Sequence, residues 1–390
     1  MCAVRLTIDS LGPIGSAYIA FDDLTVLTGP QASGKSVALQ LLKLVLDRAA
    51  IEHRMRDQNV VWAGSEDFFD AYFGEGMRSL LDPRTRVTAN GVAFDLTTDT
   101  LVKRADANHE RVANVPAQRV MSIRDGLTRP FGEYRAGDPY VLRAFSADAH
   151  DVVQKELSAN GPIFPRPQRF SEALRNVVAS NVLASWELRV EAAGLEKRFV
   201  LVDPATHDAA RLPFLTWSAG QRAFVPLLLD LYRLMPAGSR PRRGRLEWVV
   251  IEEPEMGLHP RAIAATMAFV LELLRRRYRV VLSTHSTQVL DVVWGLRRLQ
   301  AAKAGWADVL RMLGLEPARG LRSAAERSLA ATIATYYFER GAPTRDISDL
   351  DPLAEDAAEA GWGGLTAFSE RVAAVVAEVT SRSDTVEGRG

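Results

Sequence analysis

The chain is poor in cysteine and histidine and has no excess of charge. Its 390 residues include one cysteine, Cys2, so an internal disulfide is excluded, and six scattered histidines without metal-ligand spacing. Lysine plus arginine and aspartate plus glutamate number 48 each, which gives a formal net charge of zero. Such a chain offers no global attraction to nucleic acid, so any such binding would be local.

Long apolar runs and long heptad repeats are also missing. No stretch reaches the roughly 20 residues that cross a membrane, and no signal peptide precedes the first predicted strand. We therefore expect a cytoplasmic protein without a membrane partner. No heptad pattern lasts for three or four heptads, which argues against a long coiled coil. With 47% hydrophobic residues, the chain is long enough for a large core or two lobes.

A glycine-rich segment near the start has the pattern of a phosphate-binding loop. Residues 29–36 read Gly-Pro-Gln-Ala-Ser-Gly-Lys-Ser and fit G-x-x-x-x-G-K-[ST]. A strand-like run (24–27) precedes them, and a helix-like run (37–46) follows. In such loops backbone N–H groups and a helix N-terminus face phosphate oxygens. The alternative is a strand-to-helix turn that binds nothing, but the flanking elements favour a phosphate site.

This pattern assigns roles to individual residues. Lys35 is expected to neutralise the β- and γ-phosphates, and Ser36 to ligate Mg²⁺. The residues expected to contact the nucleotide here are Gly29, Gln31, Ala32, Ser33, Gly34, Lys35, Ser36 and Val37.

A second segment supplies the acids that such a site needs. Residues 246–254 form an apolar strand-like run that ends in Glu252 and Glu253. At this Walker B position Glu252 would hold Mg²⁺, and Glu253 would orient and deprotonate the attacking water. Paired acids after a strand are otherwise often a solvated strand end, so the phosphate loop decides between the two interpretations.

Three further segments follow in a fixed order. Residues 217–222 read Trp-Ser-Ala-Gly-Gln-Arg before an apolar helical run (223–234), residues 257–260 read Gly-Leu-His-Pro, and residues 280–286 read Val-Val-Leu-Ser-Thr-His-Ser. A serine that caps a helix or a histidine that ends a strand is usually structural. The order in which all the segments follow one another is what favours a functional site over a structural role.

This succession resembles the ABC-type ATPases of the SMC, Rad50 and OLD branch, over about residues 4–295. The spelling Glu-Glu-Pro-Glu-x-x-Leu-His-Pro followed by Ser-Thr-His-Ser is similar to OLD-like ATPases and to ATPase subunits of bacterial anti-phage systems of the Septu, PARIS and retron-linked types. The resemblance implies an α/β head with a mixed central sheet, an antiparallel β part and a helical lobe carrying the signature.

The resemblance also implies a mechanism with ATP and Mg²⁺. Two heads would pack head to tail, so that Ser218, Gly220 and Gln221 of one signature act on the nucleotide of the other head. His285 would contact the γ-phosphate, and His259 would line the interface. The sequence departs from the usual pattern at three positions: Glu252 replaces the commoner Asp, Trp217 begins the signature and Ala219 replaces Gly. We therefore expect hydrolysis, with slow turnover unsurprising.

The family also places a glutamine between the phosphate loop and the signature, where it ligates Mg²⁺. The best match is Gln118, after a strand-like stretch at 111–115, and the alternative is a surface turn residue. Arg119 is a candidate phosphate contact or ion-pair partner.

We predict three regions: an ATPase head at 1–300 with an insertion at about 55–180, a helical and strand extension at 301–380, and a disordered tail at 381–390. The insertion is expected to hold strand-like residues 86–96, a proline-rich connection at 162–167 and strands at 187–192 and 198–202. A terminal helix is expected at about 365–379. Asp349 and Asp351 do not follow an apolar strand, so no nuclease site is predicted.

Two arginine clusters are candidate interaction sites. Residues 240–245 form an Arg-rich loop that is open to contact with DNA, RNA or an acidic partner. Residues 275–279 end a predicted helix, where cations favour the helix dipole, so a structural role is preferred.

Three functions compete. The first is an ATPase that forms a homodimer or higher oligomer around ATP and controls a separate effector, a nuclease or toxin, in anti-phage defence. The second is a RecF- or Rad50-like DNA-binding repair or recombination ATPase, against which the neutral charge argues mildly. The third, a transporter's nucleotide-binding subunit, is disfavoured by the acidic motif and the insertion.

Overall fold

The computed structural model describes residues 4–96, 109–130, 137–158, 161–166, 169–194, 196–206, 210–236, 242–349, 351, 359–367 and 369–377. Within these residues the strands are β1 Val4–Leu11, β2 Ile14–Phe21, β3 Leu24–Thr28, β4 Leu81–Ala89, β5 Val92–Ala93, β6 Val112–Val115, β7 Ile123–Arg124, β8 Leu127–Thr128, β9 Pro162–Phe164, β10 Glu187–Ala193, β11 Glu196–Val202, β12 Arg211–Pro213, β13 Trp248–Glu252, β14 Arg279–Ser283, β15 Ile333–Tyr337 and β16 Arg345–Asp346. The main helices are α1 Lys35–Asp57, α2 Ser65–Phe73, α3 Tyr140–Asp151, α4 Glu172–Asn181, α5 Ala219–Leu234, α6 Pro260–Arg275, α7 Thr287–Ala301, α8 Trp306–Met312 and α9 Arg319–Leu329.

A six-stranded mixed sheet forms the centre, in the order β16-β15-β3-β14-β13-β6. All its neighbouring pairs are parallel except β15 with β16, which is antiparallel. Every residue of β3, β13 and β15 is buried. Continuous apolar strands of this kind are typical of a parallel sheet that is covered on both faces.

The two faces of this sheet carry separate cores, because successive side chains of a strand point to opposite sides. Val249 and Ile251 belong to the core that contains α5, α6 and the sheet β12-β11-β10-β9. Trp248 and Val250 belong to the core that contains α1 and the sheet β2-β1-β4-β5. The α/β class, the mixed central sheet, the antiparallel part and the helical lobe that carries the signature are confirmed.

The predicted elements differ from the structure mainly in extent. The helix after the phosphate loop continues to Asp57 instead of ending at residue 46, and with 23 residues it is the longest helix of the described chain. The strand-like residues predicted at 86–96 form the second half of β4 and, after a turn at residues 90–91, β5. The connection predicted at 162–167 is wrong for residues 162–164, where β9 pairs with β10, and residue 167 lies outside the described residues.

The domain boundaries remain predictions. Strands β4 and β5, from the predicted insertion, complete the sheet of β1 and β2. β15 follows residue 300 but pairs with β3, so both sides of that boundary share the central sheet. Residues 369–377 are helical, within the predicted terminal helix. Cys2 and the predicted tail at 381–390 lie outside the described residues.

Candidate nucleotide site

Four neighbouring parallel strands bring the predicted residues to one edge of the central sheet. In register, Leu27 of β3 lies beside Ser283 of β14, Ser283 lies beside Glu252 of β13, and Ile251 lies beside Val115 of β6. The segments that follow these strands therefore begin at the same edge. They contain the phosphate loop, His285, Glu253 and Gln118. Ligands of open α/β sheets bind at this carboxyl edge.

The backbone of loop 29–36 requires its glycines. φ is 128° at Gly29, 102° at Gly34 and 58° at Ala32, all in the region that L-residues with a side chain rarely adopt. A Cβ on Gly29 would lie 2.0 Å from the carbonyl oxygen of Phe338, and one on Gly34 would lie 2.4 Å from Ile14 Cγ1. The conformation and the packing of the loop both exclude larger residues at these two positions.

Lys35 lies inside this loop. Its Nζ donates to the carbonyl oxygens of Gly29 (2.8 Å) and Pro30 (2.7 Å) and lies 3.3 Å from Ser33 Oγ. Burial lowers the pKa of Lys35 to about 8, although Glu253 and Glu255 raise it. Neutral carbonyl oxygens therefore hold the ammonium group over the loop. Negatively charged phosphate oxygens would accept stronger hydrogen bonds from it.

Ser36 and Glu252 meet across the edge of the sheet. Burial raises the pKa of the Glu252 carboxyl to about 7, and a hydrogen bond with the Ser36 side chain counteracts part of this rise. Glu252 is 3% exposed. The Ser36 hydroxyl and the Glu252 carboxyl thus form a buried pair of oxygen groups. A bound cation would stabilise the ionised form of Glu252, which burial disfavours.

Glu253 has an unusual backbone. Its φ is 45°, in the left-handed region, where a non-glycine residue is strained by about 1–3 kcal/mol. Its side chain is 38% exposed, and Oε1 lies 4.0 Å from His285 Nε2. Burial and nearby Lys35 lower the pKa of His285, although Glu253 raises it. The carboxylate is thus partly exposed and close to the histidine ring.

Glu255 was not among the residues predicted from the sequence. Its Oε1 accepts hydrogen bonds from the backbone N–H of His285 and from the hydroxyl of Thr284, both at 2.8 Å. It joins the loop after β13 to the loop after β14. The only sequence signal for Glu255 was its position as the third acid of the motif Glu-Glu-Pro-Glu.

Gln118 and Arg119 follow β6 in a 3-10 turn, Ala117–Ser122. Gln118 is exposed. Arg119 is fully buried, and its guanidinium donates to backbone carbonyls, including those of Glu252 and Glu253 at 2.9 Å each. Arg119 thus forms no ion pair with a described residue, whereas its role as a phosphate contact stays a prediction.

The signature segment lies at the start of α5. Ser218 caps this helix by accepting from the Gln221 N–H at 3.2 Å, and the Gln221 side chain accepts from the Ser218 N–H at 3.0 Å. A Cβ on Gly220 would lie 2.9 Å from the carbonyl oxygen of Gly257. The signature therefore packs on the Gly257 loop of its own chain, while the exposed Ser218 leaves the helix N-terminus open to solvent.

The neighbouring motif residues have structural contacts. His259 caps α6, and its Nδ1 accepts from the Arg261 N–H at 3.3 Å. In the cluster at 275–279, Arg275 and Arg276 bind Glu272 one turn earlier in α6. This supports the structural role that was preferred for the cluster.

In the other cluster, Arg240 lies outside the described residues, and Arg243 forms a 2.5 Å ion pair with Glu156. Asp349 accepts from Arg297 at 3.2 Å, in a turn.

Within the described ranges, no group of three or more His, Cys, Asp and Glu side chains could hold a metal ion. A Mg²⁺ bound by one or two protein oxygens together with nucleotide phosphates needs no such group. None of the helices in the described part of the chain is long and apolar enough to cross a membrane.

Comparison with protein families gives one match. Residues 148–291 match a model described as "AAA domain, putative AbiEii toxin, Type IV TA system". The matched segment contains the signature, both Walker B acids and His285, but not the phosphate loop. This part of the chain is therefore similar to an AAA domain. No curated protein matches the chain.

Three solved structures are distantly similar to the chain. An SMC head domain from Thermotoga maritima is 13% identical over 89% of this chain and 98% of its own, with a TM-score of 0.36. An SMC head bound to the C-winged helix domain of ScpA is 12% identical over the same shares, with a TM-score of 0.42. A bacterial Atm1-family ABC exporter with ATP bound is 10% identical over 74% of this chain and 36% of its own, with a TM-score of 0.33.

Proposed function

We propose that this chain binds and hydrolyses ATP as an ABC-type ATPase. The observation that carries the proposal is the convergence at one sheet edge. The loop 29–36, the acids Glu252 and Glu253, and His285 follow adjacent parallel strands. This arrangement combines a phosphate cradle, a metal-binding acid, a base and a polar contact for the terminal phosphate.

The loop would bind the phosphates with its backbone N–H groups and the N-terminus of α1. Lys35 would exchange its bonds to Gly29 and Pro30 for bonds to phosphate oxygens. Because burial lowers its pKa to about 8, an anion nearby would favour its charged form again. The remaining predicted contacts, Gln31, Ala32, Ser33 and Val37, belong to the same loop and the first turn of α1.

Ser36, Glu252 and Gln118 would hold Mg²⁺, which suits oxygen ligands. The Ser36 hydroxyl and the buried Glu252 carboxyl already lie within hydrogen-bonding reach of each other. When bound, Mg²⁺ would neutralise the charge of the β- and γ-phosphates. Gln118 is exposed and lies in the turn that follows β6, the strand that pairs with β13, which carries Glu252.

Glu253 would act as the general base. Its partly exposed carboxylate has access to water, and the His285 ring lies 4.0 Å away. A neutral imidazole is favoured there because burial lowers the histidine pKa. Glu253 would orient and deprotonate a water molecule, while His285 contacts the γ-phosphate.

A second copy of the chain would complete each site. Ser218 and Gly220 form the open end of α5, whose dipole and N–H groups favour an anion. Head-to-tail packing would place this end against the γ-phosphate in the other copy's loop. ATP would then join the two heads, and hydrolysis would release them.

We further propose that this ATP-dependent association regulates a separate effector, a nuclease or toxin, in bacterial anti-phage defence. Two observations support this role: the acidic motif that resembles defence ATPases, and the toxin-system description of the family model over residues 148–291. The DNA-repair alternative predicts in addition a binding surface for duplex DNA.

The deciding experiment is light scattering on Glu253→Gln protein with and without ATP and Mg²⁺, then with a short DNA duplex. This substitution keeps the shape of the side chain but removes the base, so ATP persists and the mass should double. Lys35→Ala is the matched control, because it removes the phosphate contact and should leave the mass unchanged by ATP.

A mass that ATP does not change in Glu253→Gln would contradict the composite site, and nucleotide affinity would then report whether ATP binds at all. A further DNA-bound species, sensitive to salt, would favour the repair function over the defence role.

A further inference from the structure

Arg119 is a buried cation whose partners are backbone carbonyls. It is 0% exposed. No carboxylate in the described part of the chain lies within ion-pair distance of it, and burial lowers its pKa to about 10 although Glu255, Glu253 and Glu252 raise it. Its four hydrogen bonds in the described structure all go to backbone carbonyls. The guanidinium therefore serves as a multiple donor to the backbone and not as the partner of a carboxylate.

The two terminal nitrogens of this guanidinium bind the turn after β13. Nη1 donates to the carbonyl of Glu252 and Nη2 to the carbonyl of Glu253, both at 2.9 Å. The N–H of Glu253 donates to the Ser283 carbonyl, also at 2.9 Å. Bonds on both sides thus fix the backbone of Glu253, the residue with a φ of 45°. The direction in which its carboxylate leaves the chain follows from these three bonds.

The same guanidinium also touches the signature helix. Its Nε donates to the carbonyl of Ala223 at 3.2 Å, in the second turn of α5, and Nη1 lies 3.5 Å from the Pro116 carbonyl in its own turn. Pro226 has no N–H for the carbonyl of Arg222, so the helix ladder is interrupted directly beside Ala223. One rigid group therefore joins the end of β6, the base and the helix that carries Ser218.

We propose that Arg119 is a positioning residue for ATP hydrolysis, which holds Glu253 in its reactive orientation and ties that orientation to the place of α5. The proposal rests on the proposed function. A planar fork with five donors can serve two consecutive carbonyls and a third acceptor together, whereas a lysine ammonium cannot reproduce this geometry.

The test compares Arg119→Lys and Arg119→Gln with Arg143→Lys, the matched control. Arg143 is also buried (1% exposed) and donates to the Ala71 carbonyl at 3.0 Å and to Gln58. For each protein, nucleotide affinity, kcat, KM and thermal unfolding are measured. We expect kcat to fall about tenfold or more in Arg119→Lys and further in Arg119→Gln, with nucleotide affinity within about threefold. Arg143→Lys should lose thermal stability but keep kcat within about twofold.

Equal kcat losses in the Arg119 and Arg143 variants, or an unchanged kcat in Arg119→Lys, would overturn the proposal. Failure of both Arg119 variants to fold, with a folded Arg143→Lys, would assign Arg119 to stability and also overturn it. A wild-type protein without ATP turnover would instead contradict the proposed function, which separates the two failures.

Discussion

Individual backbone positions limit which side chains the site accepts. Gly220, in the first turn of α5, faces the carbonyl oxygen of Gly257, whose own φ is 72°. A side chain at Gly220 would push the start of α5 away from the loop that contains Gly257. Both segments belong to the proposed interface between copies. Glycine at this position thus reflects the close approach of the signature to its neighbouring loop.

We predict that Gly220→Ala destabilises the protein and weakens ATP-dependent association. Alanine in a helix gains about 1 kcal/mol over glycine. The 2.9 Å contact with a backbone oxygen overrides this gain, because overpacking costs about 1–3 kcal/mol. Chemical unfolding and light scattering measure the two effects.

The control for this prediction is Gly137→Ala, because a Cβ on Gly137 meets nothing within 4 Å. Its unfolding midpoint should not decrease. A Gly220→Ala protein as stable as the Gly137→Ala protein would show that the signature helix moves away from Gly257 without cost.

At the scale of elements, a partly buried ionic network joins the helices around the central sheet. Glu110, just before β6, accepts from Lys43 of α1 at 2.6 Å and from Arg54 of α1 at 3.3 Å, and the Tyr140 hydroxyl of α3 also donates to it. Arg54 and α5 residue Arg233 share Asp148 of α3. The helix that follows the phosphate loop is thereby connected to the helix that carries the signature.

Glu110→Gln should lower the free energy of unfolding by about 3 kcal/mol at pH 7, since it leaves Lys43 and Arg54 without their shared carboxylate. Burial opposes ionisation, but Lys43 and Arg54 hold the pKa of Glu110 at about 2, below its usual 4.5. Its stabilisation is therefore complete above pH 4.5 and is lost as the pH falls toward about 2. Denaturant unfolding from pH 7 downward measures the difference between the two proteins, which should shrink across that window.

Glu326→Gln is the control for the ionic network, because its pair with Arg322 is exposed. It should change stability by less than about 1 kcal/mol. A difference between wild type and Glu110→Gln that stays constant from pH 7 to about 2 would contradict the assigned charge state of Glu110.

A comparison of predicted and observed element boundaries shows where the local sequence pattern was sufficient to predict a strand. Buried strands such as β13 and β14 were predicted to within two residues, because their apolar runs end in polar motif residues. β9 was not, because a three-residue strand that contains proline has no periodic pattern of its own. Its pairing with β10 decides that it is a strand.

At the scale of the whole molecule, a composite site makes a specific prediction about mixtures. Lys35→Ala damages the phosphate loop and leaves the signature intact. Ser218→Arg damages the signature and leaves the phosphate loop intact. Each alone should be inactive, because both sites of its dimer are damaged. A mixed dimer has one intact site, so an equal mixture should recover up to roughly a quarter of wild-type ATPase activity per protomer.

Phosphate release at increasing total concentration measures this recovery. The control mixture, Lys35→Ala with Glu253→Gln, has no intact site in any dimer, because both substitutions damage the phosphate-loop side. It should remain inactive. Full activity of Ser218→Arg protein alone would exclude a contribution of the signature in trans.

The sequence by itself determined the α/β class, the phosphate loop and the succession of motifs. These features are local, because the conformation of a loop such as 29–36 depends on a glycine with positive φ at a fixed spacing, and the sequence displays that spacing directly. The roles of the predicted site residues remain predictions that rest on this pattern.

The tertiary structure alone decided what Arg119, Glu255 and Glu110 do. Arg119 meets Ala223 and Glu252 at separations of 104 and 133 residues, and Glu110 meets Lys43 at 67. Such partners have no local periodicity, because a side chain's acceptors depend on how distant strands and helices pack. The sequence shows an arginine beside a glutamine, whereas only the packed chain turns that arginine inward onto the backbone of the proposed catalytic base.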